Sequence, residues 1–321
     1  MKSRSVSITG ATGFVGWHVA ESFLRDGWDV RAIVRRGNSK PVPQGASVVE
    51  SDLSRESLTA AFSRSEVVVH SAALIRAGTQ EAFDAVNVEG SRAAGAAAAA
   101  AGARLVLVSS QAAGGEGTPD APRSESDAPS PVNAYGRSKL AAEEAVRAID
   151  RLRWTILRPS AVYGPFDRGF LPLFKMASRG LFIVPSGQDT AFTLIHIADL
   201  TLAVRLAAES TSAEGETMFV GHPSPQTGSD VLRAIAVALA RPFRPRHIPA
   251  ALLAAAARVG DLSWKAGMKP LVDSGRLVEL RARGFVCSVD RVRQVLGFEA
   301  TRDFQEGIAE TARWYRDRGW I

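Results

Sequence analysis

The chain has 321 residues, 46% apolar and 22% charged, which makes a sizeable buried core available and excludes global disorder. A single cysteine, Cys287, excludes an internal disulfide framework and fits a reducing, cytoplasmic compartment. The net charge is +6 and the pI about 9.9. Lys and Arg are nevertheless scattered, without a basic arm or interleaved aromatics, so a nucleic-acid partner is not expected.

Lys2 and Arg4 lead directly into a strand-like run, without the apolar segment of a secretory signal. That strand, 6–9, meets Gly10-Ala11-Thr12-Gly13-Phe14-Val15-Gly16, and an apolar helical pattern (Val15, Val19, Phe23, Leu24) follows. Further strands are expected at 29–34, 48–50, 67–70 and 104–108, with helices at 56–63, 81–101 and 135–149 between and after them. This alternation predicts an α/β fold with a doubly wound parallel sheet. The alanine-rich runs 93–103 and 250–257 fall short of the roughly 20 residues a bilayer span needs, so no transmembrane segment is expected. From Pro165 onward the alternation fades into a smaller, mostly helical lobe.

Gly10, Gly13 and Gly16 stand between a strand and a helix. There they allow a tight turn, close backbone approach to a pyrophosphate, and close helix packing. The second strand ends Val34-Arg35-Arg36, with no carboxylate at its tip to take ribose hydroxyls. An arginine pair there suits the 2′-phosphate of NADP(H), which is favoured over NAD(H). Tyr135 and Lys139 lie one turn apart on one helix face, where an ammonium can stabilise a phenolate that exchanges protons with a substrate oxygen. Ser109-Ser110 closes the fifth strand, at the sheet end that presents ligand-binding residues.

With these motifs in order, the chain resembles the extended short-chain dehydrogenase/reductases of the NAD(P)-dependent epimerase/dehydratase group. The resemblance implies a Rossmann-type domain (1–164 plus 187–212) and a substrate lobe (165–186 plus 213–321). It implies Ser110, Tyr135 and Lys139 as catalytic residues. The cofactor residues it implies are Gly10, Thr12, Gly13, Phe14, Val15 and Gly16 at the pyrophosphate, Arg35 and Arg36 at the 2′-phosphate, and Asp52 and Leu53 at the adenine. Ala72 and Ala73 would lie along the cofactor, and Pro159 and Val162 beside the nicotinamide, with Tyr135 and Lys139 also touching it. Asn87, His196 and Asp199 match family positions whose role is structural. His18, His222 and His247 show no ligand spacing, so no metal is expected.

Members acting on nucleotide sugars often carry an arginine shortly before the Ile-His segment, where this chain has Phe192. The Val-Arg-Arg strand end is more like dihydroflavonol reductases and 3β-hydroxysteroid dehydrogenases. Apolar helices expected at 248–259 and 264–271 suit the core, a greasy pocket or a peripheral membrane contact. Three readings stand: a reductase or dehydrogenase acting on a small hydrophobic substrate, a nucleotide-sugar epimerase or dehydratase, and a non-catalytic cofactor-binding regulator. A homodimer is compatible with each.

Overall fold

The β-branched runs of the first half form buried strands, and the helices between them cover both faces of the sheet. The computed structural model describes residues 4–186, 189–265, 268, 270 and 272–321. In chain order the first elements are β1 (Ser5–Thr9), α1 (Phe14–Arg25), β2 (Asp29–Arg35), β3 (Ser47–Ser51), α2 (Arg55–Phe62) and β4 (Val67–His70). They continue with α3 (Gln80–Ala100), β5 (Arg104–Val108), α4 (Ala134–Arg147), β6 (Trp154–Pro159), β7 (Ala161–Tyr163), α5 (Leu171–Ser178), β8 (Phe182–Pro185), β9 (Ala191–Phe192) and β10 (Leu194–His196). Then come α6 (Ile197–Glu209), β11 (Thr217–Val220), β12 (Gln226–Thr227), α7 (Gly228–Ala238), β13 (Pro245–Ile248), α8 (Ala250–Lys265), α9 (Ser274–Arg281), α10 (Asp290–Leu296) and α11 (Phe304–Asp317).

Seven parallel strands lie in the order β11-β6-β5-β4-β1-β2-β3. Strand order reverses between β1 and β4, and this opens a crevice at their C-terminal ends. Val6, Ile8, Val67 and Val69 are fully buried, each contributing about 1.5–3 kcal/mol of transfer free energy. One face packs beneath α1 and α6 through Val19, Phe23, Leu200 and Val204. The other packs beneath α2, α3 and α4 through Phe62, Ala94, Ala97, Ala98 and Val146. The alanine run therefore serves close packing: even a Cβ at Gly95 would come within 2.6 Å of the Ile149 side chain. Three two-stranded pairs (β7 with β10, β9 with β12, β8 with β13) link the sheet to the lobe, whose core joins α5, α7 and α11 around Phe174, Ile235 and Tyr315.

The expected division of the chain shifts in one respect. Residues 213–321 were expected in the lobe, yet β11 pairs with β6 as the edge of the main sheet, from Thr217 opposite Ile156 to Val220 opposite Pro159. Val292, Phe298 and Ala300 also join the α1/α6 core. The helix expected from 248 starts at Ala250, because Ile248 still pairs in β13. Of the helix expected at 264–271, Trp264 and Lys265 end α8, and residues 266, 267, 269 and 271 lie outside the described residues. Among the described residues no helix is long and apolar enough to cross a membrane.

Candidate active site

The C-terminal ends of the parallel strands bring the loop residues singled out above to one edge of the sheet. Gly10 adopts φ +76°, and a Cβ there would lie 2.7 Å from the Ala72 backbone nitrogen. A side chain at Gly16 would collide with the Gly10 carbonyl. Only bare backbone fits, so the loop and the first turn of α1 lie flush with β4. Gly13 is the N-cap of α1 and no side chain caps it, which leaves the positive end of that helix facing the crevice. Thr12, Phe14 and Val15 are half-buried around this turn.

Hydrogen bonds beneath the loop tie β1 to β4. Thr9 Oγ1 lies 2.8 Å from His70 Nδ1, and Ser71 Oγ donates to the Thr9 carbonyl at 2.7 Å. Burial pushes the His70 pKa down to about 3, with the Lys139 charge acting in the same direction, so the ring is neutral. Ala72 is half-buried and Ala73 exposed along the same rim. Arg35 and Arg36 are exposed at the tip of β2. Asp52 lies nearby, its pKa lowered mainly by the Ser54 amide that donates to it at 2.9 Å, with Arg36 adding a smaller pull. Leu53 takes φ +67° and packs partly into the core beside α2. Pro159 ends β6 buried, and Val162 in β7 is half-buried against the α1/α6 core.

Ser110 follows β5 and opens a short 3₁₀ turn, where its Oγ accepts from the Ala112 amide at 3.2 Å. Tyr135 is the second residue of α4, whose N-cap Asn133 accepts from the Gly136 amide at 2.8 Å. A Cβ at Gly136 would overlap the Ala112 carbonyl, so glycine there lets α4 seat directly against the serine turn. The Tyr135 phenol reaches the Ser110 side chain. Burial pushes its pKa up to about 12; the Ser110 contact opposes this, and the Glu279 charge adds to it. Lys139 is buried, and its Nζ donates to the Val108 carbonyl at 2.9 Å. Burial brings its pKa down to about 8, opposed by the Glu143 carboxylate.

This arrangement differs from the expected one in its electrostatics. A neighbouring ammonium was expected to stabilise the phenolate, but the phenol stands above its ordinary value. Burial dominates, the ammonium is held against the sheet, and the Glu279 carboxylate favours the proton-bearing form of the ring. The site therefore holds a protonated phenol beside a hydroxyl, with a cation one turn behind.

Several further residues, some of them outside any motif, shape the site. Glu143 is fully buried and accepts from Arg158 Nε at 2.9 Å, Arg158 Nη2 at 2.8 Å, Ser109 Oγ at 2.5 Å and Arg147 Nη2 at 3.0 Å. It thus pins α4 to the ends of β5 and β6. Asn87 exchanges two hydrogen bonds with the Leu74 backbone and donates to Ser138 Oγ at 2.9 Å, fastening the loop after β4 to α4. Glu279, on α9 of the lobe, accepts from Asn133 Nδ2 at 2.6 Å, and burial raises its pKa. Asp273, the N-cap of α9, accepts from Arg76 and Trp264 at 3.4 and 3.1 Å and clips the lobe to the loop after Ala73. His196 Nδ1 accepts from the Ala198 amide, and Asp199 accepts from the Arg302 amide at 3.1 Å, consistent with a joining role.

The residues present fit a nicotinamide dinucleotide. The glycine turn admits backbone alone, the positive end of α1 is free of a side-chain cap, and the Lys139 ammonium carries three donors, one of which goes to the Val108 carbonyl. Comparison with known proteins agrees. The model of the "NAD dependent epimerase/dehydratase family" matches residues 6–221. A ceramide reductase from Caulobacter vibrioides is 34% identical, with 98% of this chain and 96% of the relative covered. A UDP-glucose 4-epimerase from Vibrio cholerae is 26% identical, over 97% and 95% of the two chains. Among solved structures, MoeE5 in complex with UDP-glucuronic acid and NAD superposes with a TM-score of 0.77 at 26% identity, over 98% of this chain and 99% of that one. The chain belongs to the NAD-dependent epimerase/dehydratase family and is an NAD(P)-dependent enzyme of the short-chain dehydrogenase/reductase type.

Proposed function

We propose that this enzyme interconverts a ketone and a secondary alcohol on a hydrophobic substrate, with NADP(H) preferred over NAD(H). The observation that carries the reading is Phe192. Where sugar-nucleotide members often carry an arginine, this ring stacks on Phe285 at 6.4 Å between centroids and 8° between planes. A buried diphosphate facing an aromatic pair would be costly, whereas an apolar chain gains about 25 cal/mol for each Å² it buries. The similarity to a ceramide reductase supports the same substrate class.

In this reading bound NADPH supplies the hydride for the carbonyl carbon. Tyr135, in its proton-bearing form, donates its proton to the carbonyl oxygen. Ser110 hydrogen-bonds the same oxygen and orients it. Lys139 holds the nicotinamide ribose and keeps positive potential beneath the phenol. Gly10, Thr12, Gly13, Phe14, Val15 and Gly16 cradle the pyrophosphate, Arg35 and Arg36 take the 2′-phosphate, and Asp52 and Leu53 flank the adenine. Ala72, Ala73, Pro159 and Val162 border the rest of the cofactor.

A nucleotide-sugar epimerase is the second reading, favoured by the likeness to MoeE5 and by Arg168, Lys175 and Arg179 close together in sequence at the start of the lobe. Net cofactor turnover separates the two. Long-chain ketones are expected to consume NADPH stoichiometrically, while UDP- and dTDP-sugars neither stabilise the protein in a thermal-shift panel nor turn over. Stabilisation by a nucleotide sugar, with no NADPH consumed by any ketone, would reverse the order.

A further inference from the structure

Helix α8 presents an apolar row to solvent. Leu252, Val259 and Leu262 are 62%, 64% and 63% exposed, at the spacing of one helix face, with Ala255 and Ala256 exposed between them. Ile75 and Met268, exposed by 67% and 59%, extend apolar surface at the far end of the helix, where Arg76 bonds the Pro270 carbonyl and the Met268 amide bonds the Ser263 carbonyl. A row this apolar on a surface helix calls for a partner.

The charge distribution indicates which kind. Residues 241–283 carry nine Lys or Arg and three Asp or Glu. The cations elsewhere are scattered and balanced, thirty against thirty acidic residues, so this segment carries an excess equal to the net charge of +6. Arg244 is exposed just before β13, Arg246 and His247 are exposed on it, Arg258 is exposed on the helix itself, and Arg276, Arg281 and Arg283 are exposed on or after α9. All three acidic residues are engaged by neighbouring groups: Asp261 accepts from Ser274, Asp273 from Arg76 and Trp264, and Glu279 from Asn133.

We propose that α8 and its basic surroundings dock this enzyme on an anionic lipid bilayer surface, with Leu252, Val259 and Leu262 immersed at the headgroup level. An apolar helix face edged by cations is the pattern that binds such an interface. The docked face lies beside the catalytic cleft. Trp264 of α8 packs over Gly78 in the loop after β4, and α9 carries Glu279 to the base of the Tyr135 helix. A membrane-resident substrate would thus meet the site without crossing water, but the docking itself does not depend on which ketone is reduced.

Co-sedimentation of the full chain with vesicles tests the proposal. Equimolar phosphatidylglycerol and phosphatidylcholine vesicles are expected to bind it at least about tenfold more tightly than pure phosphatidylcholine, and added salt should weaken the difference. Leu252→Asp with Val259→Asp should reduce binding at least about tenfold with an unchanged circular dichroism spectrum. Arg244→Ser with Arg246→Ser touches no packed helix side and tests the charge independently. Two lost cations, at about fivefold each, should weaken binding about twenty-five-fold. Three results would each overturn the proposal: absence of binding to the anionic vesicles, equal binding to both vesicle types, or binding unaltered by either pair of substitutions. So would a dimer in the unmodified protein that the aspartate pair converts to monomer without altering lipid binding, since a second copy would then cover the row.

Discussion

Replacing Glu143 by Met tests whether one buried carboxylate both holds the site together and sets the charge of Lys139. The carboxylate is fully buried, and Arg158, its bidentate partner, is 3% exposed. Methionine leaves that guanidinium uncompensated in the interior and also removes the acceptor for Ser109 Oγ. Removing one partner of a buried pair costs about 3–5 kcal/mol, whereas replacing both with apolar side chains of similar volume is often close to neutral. Urea unfolding is therefore expected to show a loss of about 3–5 kcal/mol for Glu143→Met and a large recovery in the Glu143→Met, Arg158→Met double variant. The second readout is electrostatic. Burial holds the Lys139 pKa down to about 8, below the ordinary lysine value, and the Glu143 charge is what opposes that burial. The ammonium is present below that value and lost as pH rises through it, so NADPH affinity in the unmodified enzyme should fall through a midpoint near pH 8. In the Glu143→Met variant the midpoint should move to lower pH. A loss of stability below about 1 kcal/mol, or a midpoint that stays in place, would refute the argument.

Three further outcomes are expected. Calorimetry should show NADPH binding more tightly than NADH, and Arg35→Ala should cost NADPH tenfold or more, as expected for a charge-assisted contact of about 1.5–3 kcal/mol; equal affinities in the unmodified protein would remove the claim. Tyr135→Phe should lower kcat on a reduced ketone by about 10²–10⁴-fold while leaving the melting temperature and most NADPH affinity in place, and substantial residual turnover would assign the proton to another group. Asn87→Ala orphans both the amide and the carbonyl of Leu74, so thermal unfolding should register a loss of about 2–4 kcal/mol, and a neutral result would mean that water replaces the side chain.

The strands and loops of the cofactor half were readable because their signals are local. Val67 to His70 and Arg104 to Val108 fall where the β-branched runs place them, and the glycines occupy the turn their spacing requires. Helix ends shifted by only a residue or two, at caps such as Thr79 and Asn133. What sequence did not reveal depends on partners distant along the chain. Thr217–Val220 is too short to announce itself and becomes a strand because β6 offers an unpaired edge. Glu143 looks like a solvated helix residue until Arg158 is folded against it. Glu279 and Asp273 lie more than a hundred residues from the helix and loop they hold, and no periodicity links them. The pKa of Tyr135 likewise reflects burial and a carboxylate from the lobe, neither visible in the Tyr-x-x-x-Lys spacing.

The late arrival of β11 has a consequence for biosynthesis. A chain emerging from the ribosome can assemble β1 through β6 by residue 159, but the outer edge of β6 stays unpaired until residue 220 appears. The α1/α6 layer remains incomplete until Val292, Phe298 and Ala300 follow. For that interval the nascent sheet carries an open edge of the sequence Trp-Thr-Ile-Leu-Arg-Pro, an apolar template for pairing with other chains. A fragment cut at residue 212, just before the second part of the expected lobe, would keep that edge exposed permanently. It should aggregate even though it contains every glycine and catalytic motif of the cofactor half.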